Sequence, residues 1–186
     1  MIYNSVTEIF DVIDDTRSRI YERVGNLSEE QEGLRASADT WSVCEIVEHL
    51  SIIEAQLSKM MEMMLAKAEA ELRADGTSAQ PQHQMEPFTL DQFIERSVKE
   101  KYQAPETVRP SGSLPLSKAL AGLRESRAGL RRLQPRLEAT DLSGARYPHP
   151  AFGPLNLYQW LAFIGLHEAR HLRQIESLIS APSKNA

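Results

Sequence analysis

Asn156-Leu157-Tyr158-Gln159-Trp160-Leu161-Ala162-Phe163-Ile164-Gly165-Leu166-His167-Glu168-Ala169-Arg170-His171-Leu172-Arg173-Gln174-Ile175 is the stretch that decides how this chain folds. Asn156 is a good helix cap, and Gln159 stands three residues on, where its amide reaches back to the cap. Leu155 before the cap and Trp160 after it occupy hydrophobic-staple positions. Leu157, Trp160, Leu161, Ile164, Ile175 and Leu178 recur at three- and four-residue steps. The spacing predicts a helix to about Ser180 with one buried stripe. His167 and His171 fall inside that stripe. At i and i+4 the two rings stand one turn apart on one face, where they can grip a single ion. Burying two imidazoles without a shared partner is costly, so the pair points to a metal site inside a helical bundle.

Three more long helices follow from the same periodicity. Val6, Ile9, Phe10, Ile13, Ile20 and Val24 predict a helix from Ile2 to Gly25, with Arg17 where another apolar residue would fit. Ser28-Glu29-Glu30-Gln31 marks a short helical turn, and 36–40 is a polar connector. Ser42 with Glu45 forms a capping box and Trp41 with Ile46 a staple, opening a helix of some thirty residues, about 45 Å long. Residues 75–87 form a polar loop. Thr89 and Gln92 start a shorter helix, and Pro105, Pro110 and Pro115 mark a connector. A further long helix is expected over 116–137, with Pro135 kinking its last turn. The proline-rich 140–155 is expected to be a loop. No strand alternation of useful length is present. The fold class expected is all-α: one domain, a four-helix bundle with one or two short extra helices, its tail loose from about 181.

The composition fits a soluble globular domain of 186 residues, with 41% hydrophobic and 25% charged residues. A formal charge of −5 argues against nucleic acid and anionic membranes as partners. One cysteine excludes an internal disulfide framework. No apolar run approaches the roughly 18 residues of a membrane span, and no signal peptide is evident. A cytoplasmic protein is the expectation.

Two imidazoles hold an ion weakly, so a third ligand is required. His83 and His149 lie in polar and proline-flanked loops, where exposure is the ordinary outcome. His49 lies three residues after Ile46 and four before Ile53, on the buried edge of its helix. Taken alone, such a histidine is more often a satisfied core residue than a ligand. His167-Glu168-Ala169-Arg170-His171 also matches the zincin protease pattern. The longer metzincin pattern fails, because Gln174 stands where it needs glycine. A glutamate ligand from a later helix is not expected either, since the fifteen residues after His171 offer only Glu176. Glu168 nevertheless remains a candidate, as a carboxylate supporting the ligands or as a base.

Trp41-Ser42-Val43-Cys44-Glu45-Ile46-Val47-Glu48-His49-Leu50 resembles the second-helix signature of the DinB-like (YfiT-related) superfamily. His149-Pro150-Ala151-Phe152-Gly153-Pro154-Leu155 and 167–175 resemble its C-terminal signature. The resemblance covers most of the chain. It implies a four-helix bundle whose metal ligands map onto His49, His167 and His171. It further implies a divalent ion, commonly nickel or zinc, and often a homodimer. Characterised members resemble transferases that attach a low-molecular-weight thiol to a small electrophile, and others are described as metal-dependent hydrolases. Thiol transfer is therefore the first expectation. Hydrolysis, and a non-catalytic metal- or ligand-binding bundle, are the alternatives.

Among the remaining residues, Arg127 lies between Leu123 and Leu130 on the inward side and is a candidate to bind a carboxylate on the thiol. The other arginines of that helix read as a solvated face. Met60 to Met64 read as core filler or interface, Cys44 as an inert buried thiol, and Tyr158 and Gln174 as flanking the site.

Overall fold

The computed structural model describes residues 1–76, 84–99 and 103–181, with the side chains of 96–99 left aside. His83 and the tail beyond 181 lie outside the described residues. Four long helices carry the architecture: α1 (Val6–Val24), α3 (Val43–Ala74), α5 (Leu116–Ala139) and α6 (Leu157–Ser180). Two short ones, α2 (Glu29–Glu32) and α4 (Asp91–Lys99), and a 3-10 turn at Glu106–Val108 lie between them. This is the expected four-helix bundle. The capping boxes form as read: Ser42 Oγ accepts from the Glu45 amide at 3.2 Å and Asn156 Oδ1 from the Gln159 amide at 2.8 Å. In each, the side chain three residues on returns the bond to the cap amide. α5 runs through Pro135 to Ala139.

The ends differ from expectation in two places. α1 starts at Val6 with Ser5 as its cap, and Ile2–Tyr3 is instead a short strand, β1, paired with β2 (Phe88–Thr89). The expected loop 140–155 contains a hairpin of β3 (Arg146–His149) and β4 (Gly153–Asn156). Pro148 and Pro154 face each other across it, so the two residues without amide hydrogens share one unpaired position. Gly153, at φ 78°, closes the turn in the left-handed region.

The pairings α3–α5, α1–α6, α3–α6 and α1–α5 close the four helices into a ring. Two apolar layers stack along the bundle. One gathers the start of α1, the far half of α3, the end of α5 and the start of α6, including Ile9, Phe10, Met61, Leu65, Leu130 and Leu161. The other gathers the opposite halves, including Ile20, Ile46, Val47, Leu123 and Ile175. It follows that α1 runs parallel to α6, and α3 parallel to α5. The chain between α3 and α5 must therefore return along the whole bundle, which is why that connection is long. Helices α1 and α6 approach closely at Gly165, where an added Cβ would stand 2.8 Å from Ile13 Cγ2.

Between the two layers sits a buried ion cluster with one main member from each long helix: Arg17, Glu54, Arg127 and Glu168, all at most 7% exposed. The Arg17 guanidinium holds Glu168, bonds Glu54 at 2.5 Å and donates to the Leu123 carbonyl at 2.8 Å. Arg127 bonds Glu54 at 2.7 Å, Asp14 at 2.6 Å and Glu168 at 3.1 Å. Asp14 also pairs with Arg131. Burial pulls both guanidinium pKa values down, but Glu168 and Glu54 outweigh it and leave them raised. Ion for ion the four buried charges cancel. Removing one partner leaves an uncompensated charge in the core. Glu54→Ala is expected to cost about 3–5 kcal/mol in urea unfolding, against about 1 kcal/mol for Ile9→Val. A Glu54→Ala protein within 1 kcal/mol of wild type, on the same order-of-magnitude scale, would contradict this role.

Candidate metal centre

His49 rises from the first third of α3, and His167 and His171 from the middle of α6, where α3 and α6 pack together. The three rings converge. Their centroids lie 5.3 Å (His49–His167), 5.0 Å (His49–His171) and 4.6 Å (His167–His171) apart. One nitrogen from each lies within 4.8 Å of the other two. Two nitrogens bound about 2 Å from one ion stand no more than about 4 Å apart, so small ring movements complete a shared site. The three residues brought together are those onto which the resemblance maps a ligand set.

Neighbours fix the tautomers. His49 Nδ1 lies 2.7 Å from the Val108 carbonyl, which only accepts, so Nδ1 carries the hydrogen and Nε2 keeps its lone pair. His171 Nδ1 lies 3.1 Å from the Gln174 side-chain oxygen, and with the amide in that orientation its Nε2 is free as well. Val108 is held in turn. Glu48, buried beside His49, accepts from the Ser111 amide at 2.9 Å, the Ser111 hydroxyl at 2.7 Å and the Gly112 amide at 3.2 Å. Gly112 adopts φ 71°, a conformation that glycine alone takes easily. The proline-marked connector is thereby strapped across α3 next to the site. The Trp41 ring covers His49 at 4.6 Å and stands 6.5 Å from His171.

All three rings are neutral at ordinary pH. Burial lowers His49 despite the opposing Val108 bond. Burial, then His49 and Arg170, push His171 down to about 3. His167 falls well below the usual range through burial, its two partner rings, Arg170 and His149. Neutral imidazoles that each bring a nitrogen toward a common point suit a divalent cation.

Other residues fall elsewhere than the sequence suggested. Glu168, a candidate base, turns its carboxylate into the ion cluster, with Arg17 and Arg127 on it. It sits one residue from His167, but about 100° around the helix. Arg127, a candidate for a substrate carboxylate, has its Nε, Nη1 and Nη2 committed to Glu54, Ile13 O, Asp14 and Glu168. Both are reassigned from the site to the core, because each found an opposite charge inside the bundle. Tyr158 bonds the Thr140 carbonyl and the Leu142 amide, securing the turn after α5 rather than the site. Gln174 does reach it. His149, expected to be exposed, is half-buried among Phe152, Trp160 and Phe163, with ring centroids 4.6, 5.0 and 4.6 Å away. Burial pushes its pKa down to about 4. The hairpin folds it inward, and only its signature motif, not its spacing, hinted at that. Cys44 is partly buried and points its thiol at the Leu114 carbonyl, with burial raising its pKa. Met60 and Met61 are core, whereas Met63 is exposed.

A helical bundle with a three-histidine cluster on two facing helices defines the class of protein. The sequence model of the DinB superfamily matches residues 13–175, and the chain belongs to that superfamily. It is 28% identical over 172 residues to YuaE of Bacillus subtilis (strain 168), a protein described as uncharacterized, covering 90% of this chain and 94% of that one. Two solved structures share the fold. TT2238, a four-helix bundle protein, superposes with a TM-score of 0.59 at 18% identity, covering 91% of this chain and 96% of its own. YfiT from Bacillus subtilis, described as a probable metal-dependent hydrolase with an unusual four-helix bundle topology, gives 0.59 at 17% identity over 92% and 84%. No helix among the described residues is long and apolar enough to cross a membrane.

The pKa directions set the pH behaviour of the metal-free protein. In the unfolded chain these rings take up protons near their ordinary value of 6.5; in the native state all three do so below it, and His167 and His171 far below. Below about pH 6.5 the unfolded state therefore binds more protons, and stability drains away as the pH falls toward about 3. Urea midpoints of chelator-treated protein are expected to fall steadily from pH 7 to 5, and less steeply in His171→Asn. A flat or rising midpoint over that range contradicts the buried neutral rings.

Proposed function

We propose that this protein is a metal-dependent enzyme in which His49, His167 and His171 hold one divalent ion, nickel or zinc, and a small molecule reacts beside it. The observation that carries this reading is the convergence of three imidazoles, each with a nitrogen within 4.8 Å of the others, His49 with its tautomer set by the Val108 carbonyl and His171 held by Gln174. Three histidine ligands leave a coordination position open, as catalytic rather than structural zinc sites do.

A divalent ion there supplies Lewis acidity, lowering the pKa of a thiol or a water molecule beside it. The chain's own residues hold the rings in register, keep them unprotonated and wall one side with Trp41. Glu168 contributes no base, since both oxygens are engaged by arginine. The proton must therefore leave through solvent or through the small molecule itself. Transfer of a low-molecular-weight thiol to a small electrophile is the first reading, on the strength of the signature motifs. Metal-dependent hydrolysis is the second, favoured by the shared fold with YfiT. The reading includes a homodimer in the cytoplasm, with the assembly open to sedimentation measurement.

Dialysed protein is expected to take up one nickel or zinc ion per chain, and His49→Ala or His167→Ala to take up none. Nickel should quench the fluorescence of Trp41, which lies against His49, and this quenching should vanish in Trp41→Phe. Thiol consumption with a small electrophile, abolished in His167→Ala, selects the transferase. Ester or amide cleavage without thiol selects the hydrolase. Stoichiometric metal with neither activity makes the protein a binding module, and absence of metal uptake overturns the reading altogether.

A further inference from the structure

We propose that Arg170 anchors an anionic group, a carboxylate or similarly compact anion, on the small molecule that the metal centre accepts. This rests on the metal reading above and adds the substrate's charge.

Of the three rings, His49 is 2% exposed and His171 8%, while His167 is only partly buried. His167 is therefore the residue of the three that lies nearest solvent. On α6 the residues sharing that side are Phe163, His167, Arg170 and Gln174, at steps of four, three and four, which form one row along a helix. Each has a distinct place in the row. Phe163 stacks 6.5 Å from the His167 ring and touches His149, giving an apolar border at one end. Gln174 is committed to His171 Nδ1 at the other. Arg170 lies between, exposed, with its positive charge close enough to act on both His167 and His171. Helical side chains lean toward the N-terminus, which directs Arg170 back over the His167 turn.

Among the described residues Arg170 has no carboxylate within ion-pair distance, a state it shares with Arg19, Arg73, Arg109, Arg124, Arg132, Arg146 and Arg173; what sets Arg170 apart is its place in the row beside His167. Beside a dication a fixed guanidinium is unfavourable unless an anion joins them. A bound carboxylate would meet the planar fork of Arg170 while its nucleophilic or electrophilic end faces the ion. An uncharged analogue of the same shape would lack that contact.

The test uses full-length protein loaded with cobalt(II), with thiol binding read from the cobalt absorption spectrum. Affinities for 3-mercaptopropionate and its amide are measured in wild type, Arg170→Gln and Arg170→Lys. The ratio of the two affinities in one protein, compared with the same ratio in another, cancels differences in thiol acidity and any direct binding of the carboxylate to cobalt. In Arg170→Gln the preference for the carboxylate over the amide is expected to drop by about five- to tenfold, through loss of the charged thiol alone. Arg170→Lys should retain part of it, as a point charge without the fork. A ratio unchanged within twofold in Arg170→Gln, or equal weakening of both thiols, overturns the anchor while leaving the metal site standing. Failure of wild type to load cobalt overturns the metal reading and the anchor together.

Discussion

The geometry of the site depends on how α6 is held about its own axis. Glu168 and His167 are adjacent in sequence and about a third of a turn apart on the helix. Clasping Glu168 between Arg17 of α1 and Arg127 of α5 therefore decides that His167 and His171 turn toward α3, where His49 waits. Glu54, also on α3, shares the same two arginines, so the cluster pins the helix that carries His49 as well. A purely apolar core would tolerate small rotations of its helices. A set of four buried charges does not, since any rotation leaves one of them uncompensated.

Location follows from the same layering. The ion cluster closes one apolar layer from the other, and the histidines lie on its α1-end side, among Ile46, Val47 and Ile175. This places the rings in an environment that strips them of protons without giving them carboxylate partners. Each ring instead meets a neutral acceptor, or another ring. The connector 103–115 matters for a related reason. Glu48 straps it down through Ser111 and Gly112, and that brings the Val108 carbonyl onto His49. The long return between parallel α3 and α5 is thus more than a route across the bundle, since it completes the site.

Much of this was legible in the sequence, and the boundary has physical causes. Helix starts were readable at Ser42 and Asn156 because capping boxes are local: cap and partner lie three residues apart. The His167–His171 pair was readable because i, i+4 spacing guarantees a shared face. His49 as their partner was signalled by its buried edge and by the resemblance of its surrounding motif. What stayed hidden depends on partners distant in the chain. Arg17 looked like an interruption in an apolar stripe, and Arg127 and Glu168 like site residues, because nothing local reveals that they neutralise one another. The hairpin at 146–156 escaped because its prolines face each other, a matter of register rather than composition. His149 escaped with it.

The central claim is that His49, His167 and His171 share one cation. Crystals grown with zinc, measured on both sides of the zinc absorption edge, test it most directly. The account predicts one anomalous peak per chain, about 2 Å from Nε2 of His49, Nε2 of His171 and a ring nitrogen of His167. An anomalous map with no peak among these rings, or with zinc held by other residues while the three histidines stay apart, would contradict it.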